Sequence, residues 1–168
     1  MTLGFREDGF LDRTDWRILA LLQKDARITY RELGHAVGLS APAVAERIRK
    51  LEDRGVIRGY RVDIDWKNVG LPVEAFIRLT TPREASRRVS AQLQQIQEIM
   101  GCWRVAGPDS FILRVGVSSM EHLEWLIDRL ARFGQSVTSI VLSTTFAERL
   151  VETLPMDWKT HSPSHEPS

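Results

Sequence analysis

The side chains best equipped for chemistry lie between Tyr30 and Arg61, and that chemistry is recognition of a polyanion. Ser40 is a good helix N-cap, and Pro42 suits a first helical turn, where a missing N–H costs nothing. Val44, Ile48 and Leu51 then recur at i, i+4 and i+7 and make one apolar face. Pro42, Ala43, Glu46, Arg49, Lys50 and Asp53 fall on the opposite side. Small residues come first and cations follow, which lets a helix N-terminus enter a DNA major groove. Ala43, Glu46 and Arg49 are expected to face base edges, and Ser40 with the helix N-terminus to anchor a phosphate. Arg31, Arg47, Lys50, Arg58 and Arg61, with Tyr30 beside Arg31, are expected to hold the duplex by its backbone. Glu46 keeps two readings open: accepting from a cytosine amino group, or pairing with Arg49 or Lys50.

Nothing comparable points to catalysis. His122 stands at a helix start, and His35 lies inside the DNA-binding segment, where a structural role is expected. No Ser–His–Asp arrangement, metal-ligand spacing or phosphate loop is legible. The single cysteine, Cys102, excludes an internal disulfide and fits a reducing compartment. His161 and His165 lack the further ligands of a closed metal site. No enzymatic activity, cofactor or metal is expected.

The elements that must position the basic helix are equally readable. Thr29 caps a preceding helix, with Glu32 at the capping-box position and Leu33, Ala36 and Val37 on one face. Gly38 lets the chain leave that helix, and Leu39 can fill the gap beneath the turn, so the pair forms a helix-turn-helix. An earlier helix opens at Asp12 or Thr14 and buries Trp16, Leu19, Ala20 and Leu22 or Gln23, with Ile18 and Leu21 widening the stripe. After Gly55, the β-rich run Val56–Val62 suits a short wing. From Asp12 to Val62 there are 11 Lys/Arg against 7 Asp/Glu, whereas Asp63 to Leu154 has 10 against 11. The net charge of +1 therefore conceals a positive excess confined to this segment, as a phosphate-contacting module requires.

Residues 1–10 read as a flexible arm, 11–62 as the winged helix-turn-helix domain and 63–72 as a hinge. In the hinge Trp66 is expected to pack on a neighbour rather than read a base. Residues 73–154 read as a second domain in which strands Val73–Thr80, Met100–Val105, Phe111–Val117 and Val137–Val151 alternate with helices Ala85–Ile99 and Met120–Phe133. The order is βαββαβ, a ferredoxin-like sheet with both helices on one face. The other face has nothing in the chain to cover it, so a partner copy is expected. On the last strand Ser139, Val141, Ser143 and Thr145 alternate, either as a dimer-facing surface or with Ser143 and Thr145 bonding a small polar effector. The Pro/Ser-rich stretch 155–168 reads as disordered. With 43% hydrophobic and 27% charged residues, no membrane span and no signal peptide, the expectation is an α+β protein of the cytoplasm.

Three stretches carry a resemblance: LDRTDWRILALLQKDARITYRELGHAVGLS, the run RKLEDRGVIRGYRVDID, and the βαββαβ half. Together they resemble the Lrp/AsnC (feast/famine) family of transcriptional regulators over about Leu11 to Leu154, most specifically in Leu-Glu-x-x-Gly-Val-Ile-x-Gly-Tyr from Leu51 to Tyr60. The resemblance implies an N-terminal winged helix-turn-helix on double-stranded DNA and a C-terminal half that makes homodimers, often gathered into octamers. It also implies amino-acid effectors held between dimers and association with the nucleoid. The effector loop, Gly-x-x-Asp in many members, aligns here with Gly107, Pro108, Asp109 and Ser110, so a serine replaces the carboxylate. A serine cannot supply the charge that pairs with an ammonium. Two other readings stay in view: a tetrapyrrole-pathway decarboxylase-like enzyme on the same architecture, and a DNA-wrapping architectural protein.

Overall fold

The computed structural model describes residues 11–151. The arm at 1–10 and the terminal stretch 155–168 read from the sequence lie outside the described residues. The chain divides into two compact units, whose described residues are 11–62 with 146–151 and 63–145.

The first unit is built on three capped helices, α1 (Arg13–Lys24), α2 (Tyr30–Val37) and α3 (Ala41–Asp53). Asp12, not Thr14, caps α1, and its box is reciprocal: Asp15 N–H donates to the Asp12 carboxylate (2.8 Å) and Asp12 N–H to Asp15 (3.1 Å). Thr29 and Glu32 form the same box on α2. Ile18 and Leu22, Leu33, and Val44, Ile48 and Leu51 make the core. Each such aliphatic side chain contributes about 1.5–3 kcal/mol by leaving water. Ile18 is at the centre of this core rather than its margin, and Trp16 and Ala20 are only partly covered. The turn holds a requirement the sequence reading passed over. Gly34 is buried, and a Cβ there would collide with the Leu39 carbonyl, while Leu39 N–H donates back to Gly34 O (2.9 Å).

The expected wing is corrected. Leu51 O accepts from the N–H groups of both Val56 and Ile57 (2.9 and 3.1 Å), closing α3 after Gly55 (φ 69°), and residues 58–65 then run without forming a strand. A β-rich segment needs a neighbouring strand for its ladder, and none is present in this unit among the described residues. Val62 is left 84% exposed. Residues 146–151 pack with this unit, where the Gln23 side-chain amide exchanges two 2.9 Å hydrogen bonds with the Val151 backbone.

The second unit is a four-stranded antiparallel sheet, ordered β2-β3-β1-β4. Its strands are β1 (Val73–Thr80), β2 (Ile99–Arg104), β3 (Phe111–Val117) and β4 (Gln135–Ile140); its helices are α4 (Ser86–Leu93) and α5 (Met120–Ala131). Ala75, Ile77 and Leu79 of β1, with Phe111, Leu113, Val115 and Val117 of β3, join Val89, Leu93, Leu123, Leu126 and Leu130 in one core. Several boundaries shift by one or two residues, and two differ by more. The helix expected to Ile99 ends at Leu93; a turn drops Ile96 into the core, and Ile99 opens β2 opposite Val115. The strand expected to reach Val151 stops at Ile140, because β4 pairs only with β1. Past Val141 N–H on Glu74 O (2.9 Å), β1 offers no further partner.

The opposite sheet face is not wholly bare either. A 3₁₀ turn at Trp66–Val69, in the stretch read as a hinge, lays Trp66 on Gly116, where a Cβ would press on the indole. The Arg114 guanidinium sits 4.4 Å from the Trp66 ring centroid and donates to Glu74 (2.6 Å). The rest of that face keeps Phe76 39%, Trp103 51% and Val137 52% exposed. No helix among the described residues is long and apolar enough to cross a membrane. Gly34→Val should lower stability by about 2 kcal/mol or more, the usual cost of forcing atoms into a filled site. Thermal unfolding followed by circular dichroism should show that loss, and an unchanged melting temperature would contradict the turn packing.

Candidate functional site

Helix α3 presents the outward side read from the sequence. Ser40 Oγ accepts from Ala43 N–H (3.4 Å), Pro42 lies in the first turn, and Arg49 and Lys50 are exposed beyond them. The two readings of Glu46 resolve, in the free protein, to the ion pair. Arg49 donates through Nε and Nη2 to both oxygens of Glu46 (2.8–3.2 Å), and Lys50 Nζ stands 3.5 Å from Glu46 Oε1. The Arg49 guanidinium accordingly holds the Glu46 carboxyl below its ordinary value. Tyr30 and Arg31 are exposed at the start of α2, and Arg58 and Arg61 on the arm after α3. That arm is tied back by Tyr60 OH donating to Glu52 (3.0 Å); burial, then the Glu52 carboxylate, pushes the phenol up to about 12.

Arg47 departs from the phosphate-contacting role expected of it. Its Nη1 donates to Asp12 (2.6 Å) and Asp15 (2.8 Å), the two carboxylates of the α1 capping box, so it fastens α3 to α1. The backbone N–H of Asp15 first, and Arg47 second, hold the Asp12 carboxyl below its ordinary 3.8. No sequence pattern links residues 12, 15 and 47, because the cap and the guanidinium meet only in the packed unit.

In the second unit Gly107, Pro108, Asp109 and Ser110 line a cavity of about 650 Å³ together with Thr80, Thr81, Arg83, Ser86 and Arg104. Ser110 is committed to the backbone: its hydroxyl accepts from Thr81 N–H (3.0 Å) and donates to Thr81 O (3.2 Å). Asp109 faces Arg78 at 3.9 Å. Ser143 and Thr145 do not line this cavity; they are exposed beyond the end of β4. The arginines around the cavity escaped the sequence reading because they come from separate strands and loops.

One arrangement absent from the sequence reading is assembled by the fold. Ser118 Oγ lies 3.0 Å from His122 Nδ1, and His122 Nε2 lies 3.3 Å from Glu98, which also faces Arg129 at 3.7 Å. Ser118 N–H also points at Nδ1 (3.4 Å), and Ser119 caps α5. The cluster therefore brackets a helix start, and neither of the two cavities described for this chain borders it. No group of three metal-ligating side chains occurs among the described residues.

A capped, outward-facing helix beside a small α-helical core, followed by an α/β unit with its own cavity, defines a two-domain helix-turn-helix regulator of transcription. Comparison with known proteins gives the same class. An AsnC-type helix-turn-helix domain matches residues 11–52, and an Lrp/AsnC ligand binding domain matches residues 74–151. The chain is 35% identical over 133 residues to the HTH-type transcriptional regulator LrpC of Bacillus subtilis, covering 79% of this chain and 92% of that one. It is 37% identical over 143 residues to LrpA of Mycobacterium tuberculosis, covering 83% and 95%. Among solved structures, B. subtilis LrpC superposes with a TM-score of 0.78 at 34% identity, over 82% of this chain and 99% of that one. A feast or famine regulatory protein of M. tuberculosis complexed with L-methionine gives 0.76 at 34% identity, over 83% and 97%. The chain belongs to the Lrp/AsnC family of DNA-binding transcriptional regulators.

The role of Arg47 is open to a direct test. Arg47→Met should leave the salt dependence of DNA binding unchanged, whereas Lys50→Met should reduce its slope by about one. The Asp12 carboxyl is depressed in the folded state, so its pairing stabilises the protein above its ordinary 3.8 and is lost as pH falls through the folded value. The melting-temperature gap between wild type and Arg47→Met should thus be constant near neutrality and shrink in acid. A flat gap down to acid pH, or a reduced salt slope, would count against the clamp.

Proposed function

We propose that this regulator reads duplex DNA with the outer side of α3, as a homodimer whose DNA affinity responds to a small metabolite, working at the nucleoid in the cytoplasm. The observation that carries the first part is the outward row Pro42, Ala43, Glu46, Arg49 and Lys50, exposed at Pro42, Arg49 and Lys50 and half-buried at Ala43 and Glu46, with a slim N-terminal half and cations behind it. Ala43, Glu46 and Arg49 face base edges; Ser40 and the α3 N-terminus take a phosphate; Tyr30, Arg31, Lys50, Arg58 and Arg61 hold the backbone. In the free protein Glu46 and Arg49 occupy each other, so binding exchanges that pair for base contacts. Sequences that cannot accept from Arg49 then keep the pair intact and bind through phosphates alone.

Pairing of copies is supported by the apolar patch of Phe76, Trp103 and Val137 on the sheet face and by the unladdered arm after α3. Both want a second chain. Such dimers are the building block for the octamers that the family resemblance implies. The effector role is supported by the cavity at Gly107–Ser110 and by the relative complexed with L-methionine. Ser143 and Thr145, which lie past the end of β4 that pairs with the start of β1, would join it only across an assembly.

Gel-shift titrations on the DNA upstream of the protein's own gene, at two salt concentrations, test the reading. Binding should weaken steeply with salt. Arg49→Ala should reduce the preference for that DNA over random duplex, by about 1–3 kcal/mol of discrimination, while Lys50→Ala should weaken both alike. Equal losses on all duplexes for both variants would contradict the division of roles. For assembly, Phe76→Glu should shift sedimentation toward monomer at micromolar protein, and an unaltered dimer would place the interface elsewhere.

A further inference from the structure

The cavity at the β2–β3 loop is cationic, and it is short of any free carboxylate. Arg83 and Arg104 border it with no ion-pair partner among the described residues. Asp109, the single carboxylate of its lining, faces the Arg78 guanidinium at 3.9 Å. Ser110 has spent its hydroxyl on the Thr81 backbone in both directions. Thr81 is itself more than nine-tenths buried, and its hydroxyl oxygen has no hydrogen-bond partner.

From this we propose that the cavity takes a small organic carboxylate lacking an ammonium group, of the 2-oxo acid type, in preference to the zwitterionic amino acid of the same skeleton. The inference rests on the effector reading above for its regulatory meaning, but not for its chemistry. A guanidinium offers a planar fork that matches a carboxylate in two parallel hydrogen bonds, and two are available here. An ammonium brought in with that carboxylate would sit among uncompensated like charges. Asp109, the one carboxylate among the lining residues, already answers Arg78. A 2-oxo group keeps the carboxylate, removes the cation and adds an acceptor that the same arginines can serve. A volume of about 650 Å³ is of the size small metabolites occupy. Val105, Ala106 and Pro108 give the cavity an apolar side for a hydrocarbon chain.

The test uses the full chain, calorimetric titration and thermal shift, with matched pairs: 4-methyl-2-oxopentanoate against L-leucine, and 4-methylthio-2-oxobutanoate against L-methionine. Sodium sulfate at equal ionic strength serves as the inorganic control. The oxo acids should bind at least about tenfold more tightly than their amino acids and raise the melting temperature at millimolar concentration. Arg104→Gln and Arg83→Gln should each weaken the oxo acids by about tenfold or more, with the far-ultraviolet spectrum unchanged. Ser110→Asp should invert the preference toward the amino acids. Amino acids binding as tightly as oxo acids, sulfate binding as tightly as either, or no shift with any oxo acid would each overturn the proposal. Gel-shift with and without these compounds separates the two readings. Oxo-acid binding that leaves DNA affinity unmoved defeats the effector role while sparing the ligand class. L-leucine or L-methionine changing DNA affinity through this cavity does the reverse.

Discussion

The constraint on which the DNA-binding unit depends is the close approach of α2 to the turn before α3. Gly34 permits the Leu39 carbonyl to lie against the helix backbone, and Gly38 supplies the left-handed residue that reverses the chain. Only with that approach can Val44, Ile48 and Leu51 reach Ile18, Leu22 and Leu33 at once. Burying three residues on one side of a thirteen-residue helix forces the other side outward. The outward side is therefore a consequence of packing, and its chemistry is free to be chosen for a partner.

Electrostatics in this unit divides by distance from the core. Arg47 lies near α1 and spends its charge on the capping box, so the same carboxylates that hold the first helical turn also anchor the third helix. Arg49, a half-turn further round, pairs with a glutamate of its own helix, an exposed interaction of small stability value. Its interest is specificity: a cation answered by a neighbouring acid contributes less indiscriminate attraction to phosphate. The positive excess of the segment is thus smaller in effect than its count of arginines suggests.

The second unit turns a different constraint to use. Its sheet buries one face beneath α4 and α5 and leaves the other for Trp66, Arg114 and an apolar patch. Both edge strands, β2 and β4, have one open side among the described residues. At one end of the sheet, the β2–β3 loop is pinned by Ser110 to the end of β1, which shapes the cavity.

Much of this was legible from residue order alone. The capping box at Thr29, the i, i+4, i+7 stripe of α3, and period-two alternation in β1 and β3 are local patterns that neighbouring residues dictate. So is the outward placement of Glu46, Arg49 and Lys50, since a helix with one apolar side has only one other. What needed the tertiary structure were the facts that depend on a distant partner. β4 ends where β1 runs out, the arm after α3 lacks a strand to pair with, and Arg47 finds two acids more than thirty residues away. The charge of the cavity belongs with these, because Arg83, Arg104 and Asp109 become neighbours only when a loop closes over the end of a strand. Local sequence specifies an element by its own periodicity, whereas a strand's length and an ion's partner are set by what other parts of the chain bring alongside.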